Sequence, residues 1–177
     1  LSLASRNAQR GIMREVTMPP YYTTKDSLER MKEKVDEITR RLKTEVAREL
    51  AKAADYGDLS ENSEWEAALE LQSNLKHEVS ILMEKVRDAE LIEDLPIAGD
   101  KVTIGTEVTL FDLDKDEELI YKILGEQESD FQNGILSFQA PLVRGLMQKV
   151  PGDEVSVPLP GGARNFEVLD VKKIEFS

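Results

Sequence analysis

From Ala53 to Leu75 the chain carries six carboxylates and no lysine or arginine: Asp55, Asp58, Glu61, Glu64, Glu66 and Glu70. Uncompensated like charges repel, so the stretch is either a solvated face or a place for a positive ligand. Asp58 and Glu61 lie three residues apart, at a reversal that enters a helix. Both can point outward from the tip. Two hard oxygen ligands on a projecting element suit Mg²⁺, which takes few protein carboxylates and completes its shell elsewhere. They do not close a site. The ion would be shared with a partner that receives the tip, and the free protein would hold none. The plainer reading of the pair is stabilisation of a helix N-terminus through its dipole.

The elements on either side must project this tip. Leu28, Met31, Val35, Ile38, Leu42, Val46 and Leu50 recur at steps of three and four, which is helical spacing. Thr23 followed by Asp26 reads as the helix start. A second run is more regular: Trp65, Ala68, Gln72, Leu75, Val79, Leu82, Val86 and Ala89 form a heptad-like seam with one polar insertion. Two helices of about 30 residues, each roughly 45 Å long at 1.5 Å per residue, cannot form a globule by themselves. They are expected to pack on each other as an antiparallel coiled-coil hairpin. Gly57 supplies the freedom to reverse, and Ser60 or Ser63, the latter with Glu66, would cap the second helix.

Pro96 and Gly99 end the helical half, so the hairpin is read as residues 20–97. Beyond it the texture changes to short runs rich in Val, Ile and Phe at 107–111, 118–124, 134–138, 154–157 and 165–174. Turn signals separate them, among them Asn133-Gly134 and Pro160-Gly161-Gly162. The last is a turn and not a phosphate loop, because no Lys-Ser/Thr follows it. Residues 142–149 (LVRGLMQK) read as a short helix. The fold class is therefore α+β, with an antiparallel sheet domain at 98–177. Residues 1–19 hold Arg6, Arg10 and Arg14 with no acid before Glu15. They are expected to be a flexible leader or the remnant of a longer chain, with an Arg-rich, acid-poor presequence as the alternative.

Composition narrows the function. Of 177 residues, 35 are acidic and 23 are Lys or Arg, a net charge of −12. That excludes coating nucleic acid by bulk charge. The chain has no cysteine and a single histidine, His77, which removes thiolate and multi-histidine metal chemistry. His77 sits one step off the seam and reads as a solvated helix residue. No apolar run approaches the roughly 20 residues of a membrane helix.

The segment GDLSENSEWEAALELQ at 57–72 resembles the hairpin-tip motif of the bacterial Gre transcript-cleavage and elongation factors, close to GDLSENAEYxAAxxxQ. VTLFDLDKDEELIYKILGEQESDF (108–131), LSFQAPLVRGLMQK (136–149) and GDEVSVPLPGGARNFEV (152–168) are similar to the family's C-terminal domain. The resemblance spans about residues 18–177. It implies an FKBP-like sheet domain that docks at the secondary channel of RNA polymerase, a monomeric factor and a cytoplasmic location. It implies that Asp58 and Glu61 act at the polymerase's own active centre, helping to hold its second Mg²⁺ for cleavage of backtracked RNA. The factor would then stimulate an enzyme without being one. Asp130, Phe131 and Pro141, the last in the Gln139-Ala140-Pro141 turn, fall on the family's polymerase-contacting edge. Arg144 and Gly145 match a segment that is mainly structural.

The chain departs from the family pattern where basic residues are usual. Ala54 and Leu69 stand there, and Trp65 replaces a tyrosine. Contact with the nascent RNA 3′ end, and with DNA in the elongation complex, is therefore expected to be weak or indirect. Arg48, Lys52 and Trp65 are the residues nearest to supply it. Two other readings stay open: a channel-binding factor that modulates transcription without cleavage, and a coiled-coil interaction protein unrelated to polymerase.

Overall fold

A computed structural model describes residues 20–55 and 63–176. The element order is β1 (Tyr21–Thr23), α1 (Lys25–Arg41), a π-helical turn (Leu42–Val46), α2 (Ala47–Ala54), α3 (Ser63–Arg87), β2 (Ala89–Leu91), β3 (Thr106–Asp112), β4 (Glu117–Leu124), β5 (Ile135–Ser137), α4 (Pro141–Leu146), β6 (Glu154–Leu159) and β7 (Gly162–Lys173).

Lys25 to Ala54 is helical throughout and packs along α3. Ile38, Val46 and Leu75 form the buried centre of this pairing, with Leu42, Leu50, Leu71, Val79 and Leu82 against them. Lys34 Nζ reaches Glu78 Oε1 across the seam at 2.6 Å. Both groups are largely exposed, so the pair adds little. The seam residues of the first helix step 3-4-3-4 and then 4-4. Consecutive steps of four walk an apolar stripe off a straight helical face. The π-helical turn at Leu42–Val46 takes up the excess, because an i→i+5 turn holds one more residue than an α turn. Ile38 and Val46 thus both remain buried.

Two expectations are corrected here. The N-cap of α1 is Thr24, whose hydroxyl accepts from the Ser27 amide. Thr23 is taken up by β1, where it pairs with Leu91. α3 is described from Ser63 to Arg87, and the residues before Ser63, with the cap of this helix, lie outside the described ones. Ala89, the last seam position, lies in β2. β1 and β2 run parallel, so the chain's entry to and exit from the hairpin are bound side by side. Gly57, Ser60 and the reversal lie outside the described residues, as do residues 1–19.

The second half is a five-stranded sheet in the order β5-β4-β3-β7-β6. β3 alternates buried and half-buried positions, the period-2 pattern of a strand with one face on a core. Val108, Leu110, Ile123, Phe166 and Val168 point inward and meet Val143 and Leu146 of α4. Opposite Thr109 and Leu110 the register skips Leu169, a bulge in β7. Gly145 brings α4 close to β6: a Cβ there would press on the Val157 side chain. Arg144, by contrast, is exposed. The sheet is not wholly antiparallel, because β4 and β5 pair in parallel. The chain turns through Asp130–Gly134 and re-enters along the outside of β4, so its direction repeats. The helix spans 141–146, where 142–149 was expected.

A second, smaller cluster sits where the halves meet. Ile92, Ile104, Leu124 and Ile174 are buried there, with Tyr22, Leu95, Ile97, Phe138 and Phe176 packed around them.

Candidate functional site

Asp58 and Glu61 lie outside the described residues. Their immediate flanks do not. Asp55 closes α2, Glu64 and Glu66 open α3, and all three are exposed. This donor set suits a hard cation and repels an anion. Among the described residues, no three of His, Asp or Glu are grouped to hold a metal ion.

Arg48 and Lys52 are exposed on α2, one helical turn apart. Lys52 borders a shallow groove with Glu49, Glu64, Ala67, Ala68 and Leu71. Trp65 is half-buried in the first turn of α3. Ala54 and Leu69 are exposed, so a basic side chain at either position would face solvent. The three RNA-side candidates therefore cluster at the outer end of the hairpin. His77 is exposed on α3.

The docking candidates lie on the sheet half. Asp130 caps a single 3₁₀ turn, Phe131–Asn133, accepting from the Asn133 amide at 3.3 Å and from its side-chain nitrogen at 2.7 Å. Its backbone exchanges two hydrogen bonds with Ile135. Gly134 closes the turn with φ +69°, a conformation glycine adopts without strain. The turn is thus fixed from both ends. It presents Phe131 with 71% of its surface exposed. The ring stacks on Tyr121, centroids 6.4 Å apart. Burial raises the Tyr121 phenol above its ordinary pKa, and Glu117 raises it further. Pro141 is exposed at the start of α4. Asp130 and Phe131 sit together, while Pro141 lies beyond the other end of β5.

One feature at the base of the hairpin was not visible in the sequence. Glu128 Oε1 accepts from Thr23 Oγ1 at 2.7 Å, from the Thr24 amide at 3.0 Å and from Thr24 Oγ1 at 3.2 Å. Glu93 Oε1 accepts from the Lys25 amide at 2.8 Å. Two carboxylates from beyond the helices, Glu93 and Glu128, therefore cap the N-terminus of α1. Tyr21 donates to Gln127 at 3.4 Å. Its phenol is held above its usual pKa, first by burial and then by Glu128 and Glu126. Glu128 is more than 100 residues from its partners, so no local spacing could have flagged it.

Two family models match the chain. "Transcription elongation factor, N-terminal" covers residues 21–91, and "Transcription elongation factor, GreA/GreB, C-term" covers 97–173. The chain is 38% identical over 148 residues to the transcription elongation factor GreA of Desulfotalea psychrophila, covering 84% of this chain and 92% of that protein. It is 42% identical over 137 residues to the GreA of Acidiphilium cryptum, covering 75% and 87%. Among solved structures, the GreA factor homolog 1 protein of Thermus thermophilus is 22% identical, with 86% and 99% covered and a TM-score of 0.39. No helix among the described residues is long and apolar enough to cross a membrane. The two matches meet at the linker between the hairpin and the sheet, and together they span nearly everything described: the chain belongs to the GreA/GreB family of transcription elongation factors.

Proposed function

We propose that this protein docks on RNA polymerase through its sheet half and extends its hairpin into the secondary channel. There it stimulates the polymerase to cleave backtracked nascent RNA. The observation that carries the reading is the separation of two unlike surfaces. A fixed turn on the sheet half offers an exposed aromatic anchor. The far end of the hairpin carries the exposed carboxylates Asp55, Glu64 and Glu66. An apolar anchor supplies affinity, and an acidic end supplies hard ligands.

Asp58 and Glu61 would hold Mg²⁺ jointly with the polymerase, and the bound ion supplies activation of water for attack on the RNA backbone. The chain's own work is to deliver these two carboxylates. Arg48, Lys52 and Trp65 lie near the path of the RNA 3′ end and give it modest contact, and contact with DNA is indirect. The protein acts as a cytoplasmic monomer, with no enzymatic activity apart from the polymerase.

The test is cleavage of RNA in a stalled elongation complex. Wild-type protein should release short 3′ fragments. The double variant Asp58→Ala, Glu61→Ala should bind equally well and leave cleavage at the level seen without the protein. Full stimulation by that variant would refute the shared-metal reading.

A further inference from the structure

A finger that must reach a distant reaction centre needs a rigid base. The helical run Lys25–Ala54 extends about 45 Å from its base at 1.5 Å per residue. A tilt of about 10° at the base would therefore move the far end by about 8 Å over that length. Productive sites tolerate errors of only about 0.5 Å, or 10–20°. Whatever sets the tilt sets the activity of the tip.

The contacts that can set it are few and specific. Glu128 gathers Thr23 and Thr24 onto one carboxylate oxygen, and Glu93 holds the Lys25 amide. The second oxygens of Glu93 and Glu128 are buried and accept no hydrogen bond among the described residues. A buried, unsatisfied oxygen is costly, so stability alone is a poor reason to place carboxylates here. Gly125, three residues before Glu128, lies so close that a Cβ would collide with the Tyr22 carbonyl and the Glu128 carboxylate. Tyr22 meets Phe138 edge-on, centroids 5.7 Å apart. Asp130, on the proposed docking turn, is two residues from Glu128 and borders the same cleft as Thr24, Lys25 and Glu93. Anchor and base of the finger thus share one short loop.

We propose that Glu128, backed by Glu93 and by the close approach at Gly125, is a positioning residue that aims the hairpin relative to the docking turn. This rests on the polymerase reading above, but its geometric core does not. Glu128 holds Thr23 and Thr24, at the opposite end of the helical run from Ala54. It acts by fixing the first residues of α1, and the rigid helix carries that direction outward. Its loss should leave binding intact and remove delivery of the tip.

The experiment uses the full chain. It has no cysteine, so spin labels can be placed at Glu49→Cys on α2 and Ser156→Cys on β6, both exposed. The label distance is measured in the free protein. The parent should give one narrow distance. Glu128→Ala should shift or broaden it, and Gly125→Ala should shift it with both carboxylates retained. Glu128→Gln keeps an accepting oxygen and should restore the parent distance. With polymerase, Glu128→Ala should compete for binding within about twofold of wild type, while cleavage at saturating factor falls by ~10-fold or more, in line with the loss expected when reacting groups are misplaced. Unchanged distances in both Glu128→Ala and Gly125→Ala would overturn the proposal. So would an equal loss of binding and cleavage. If wild type cleaves nothing, the polymerase reading fails, and the distances still decide the joint.

Discussion

Phe131 has the largest exposed fraction of the big apolar side chains among the described residues. A phenyl ring held on a capped turn, stacked on Tyr121, gives up little rotamer freedom on binding. It therefore suits an interface centre, where aromatic anchors dominate affinity. Phe131→Ala should weaken polymerase binding by about 2 kcal/mol, as for a typical hot spot. It should move the melting temperature very little, because an exposed ring contributes little to the fold. A large drop in melting temperature would assign Phe131 to the core instead. The opposite case is Asp112. Its side chain is fully buried, Oδ1 accepts the Asp114 and Lys115 amides, and Oδ2 pairs with Arg164. The Arg164 guanidinium also lies over the Phe166 ring, 5.2 Å from its centre. Arg164→Ala strands a buried carboxylate, and such losses cost about 3–5 kcal/mol. Asp112→Asn combined with Arg164→Met should cost clearly less than Arg164→Ala alone in denaturant unfolding. Additive losses would mean that the pair is not coupled.

The π-helical turn makes a sharper claim at the level of elements. Deleting Lys43, an exposed residue within the turn, changes the seam spacing beyond Leu42. The first helix would then step 3-4-3-4-3-4-3, matching the regular steps of α3. A residue lost from the turn lets it relax to α geometry, and Val46, Leu50 and Ala53 keep facing α3. The deletion should leave circular dichroism and melting temperature close to wild type. Deleting Glu33 from the regular part of α1 should instead rotate every later seam residue by about 100°, one residue's turn of an α-helix, and melt the hairpin. Equal damage from both deletions would refute this account of the turn. The same comparison shows what local pattern can and cannot carry. Both helices and all five strands of the sheet were readable, because period 3.6 and period 2 are written in neighbouring residues. The parallel β4–β5 pair was not, since strand direction depends on the path through Asp130–Gly134. Thr24 displaced Thr23 as the cap only because β2, nearly seventy residues away, claims Thr23. The turn proposed for docking was singled out through resemblance. The carboxylates that cap α1 were missed because no spacing links Glu128 to Thr23.

Across the whole molecule, affinity and action should be separable, but the structure moves the place to cut. The acidic end of the hairpin repels phosphate-rich surroundings, so the sheet half should supply most of the binding. A fragment beginning at residue 100 would contain all five strands of the sheet. It would also lose Ile92, Leu95 and Ile97, which pack with Ile104, Leu124 and Ile174. Ile92 is fully buried, and removing a buried isoleucine costs about 2–5 kcal/mol. Gly105 would suffer too, for its backbone fits against Ile92 and Ile97 side chains. A fragment beginning at residue 92 keeps that cluster except for Tyr22. It should melt well above the shorter fragment, bind polymerase, compete with the full chain and stimulate no cleavage. The isolated hairpin, residues 20–91, retains its seam and the β1–β2 pair but loses Glu93 and Glu128 from the base of α1. It should fold with a frayed base and bind polymerase poorly at the same concentration. If the hairpin alone bound as tightly as the full chain, the anchor would have to lie on the helices, and Phe131 would be an exposed ring without that role.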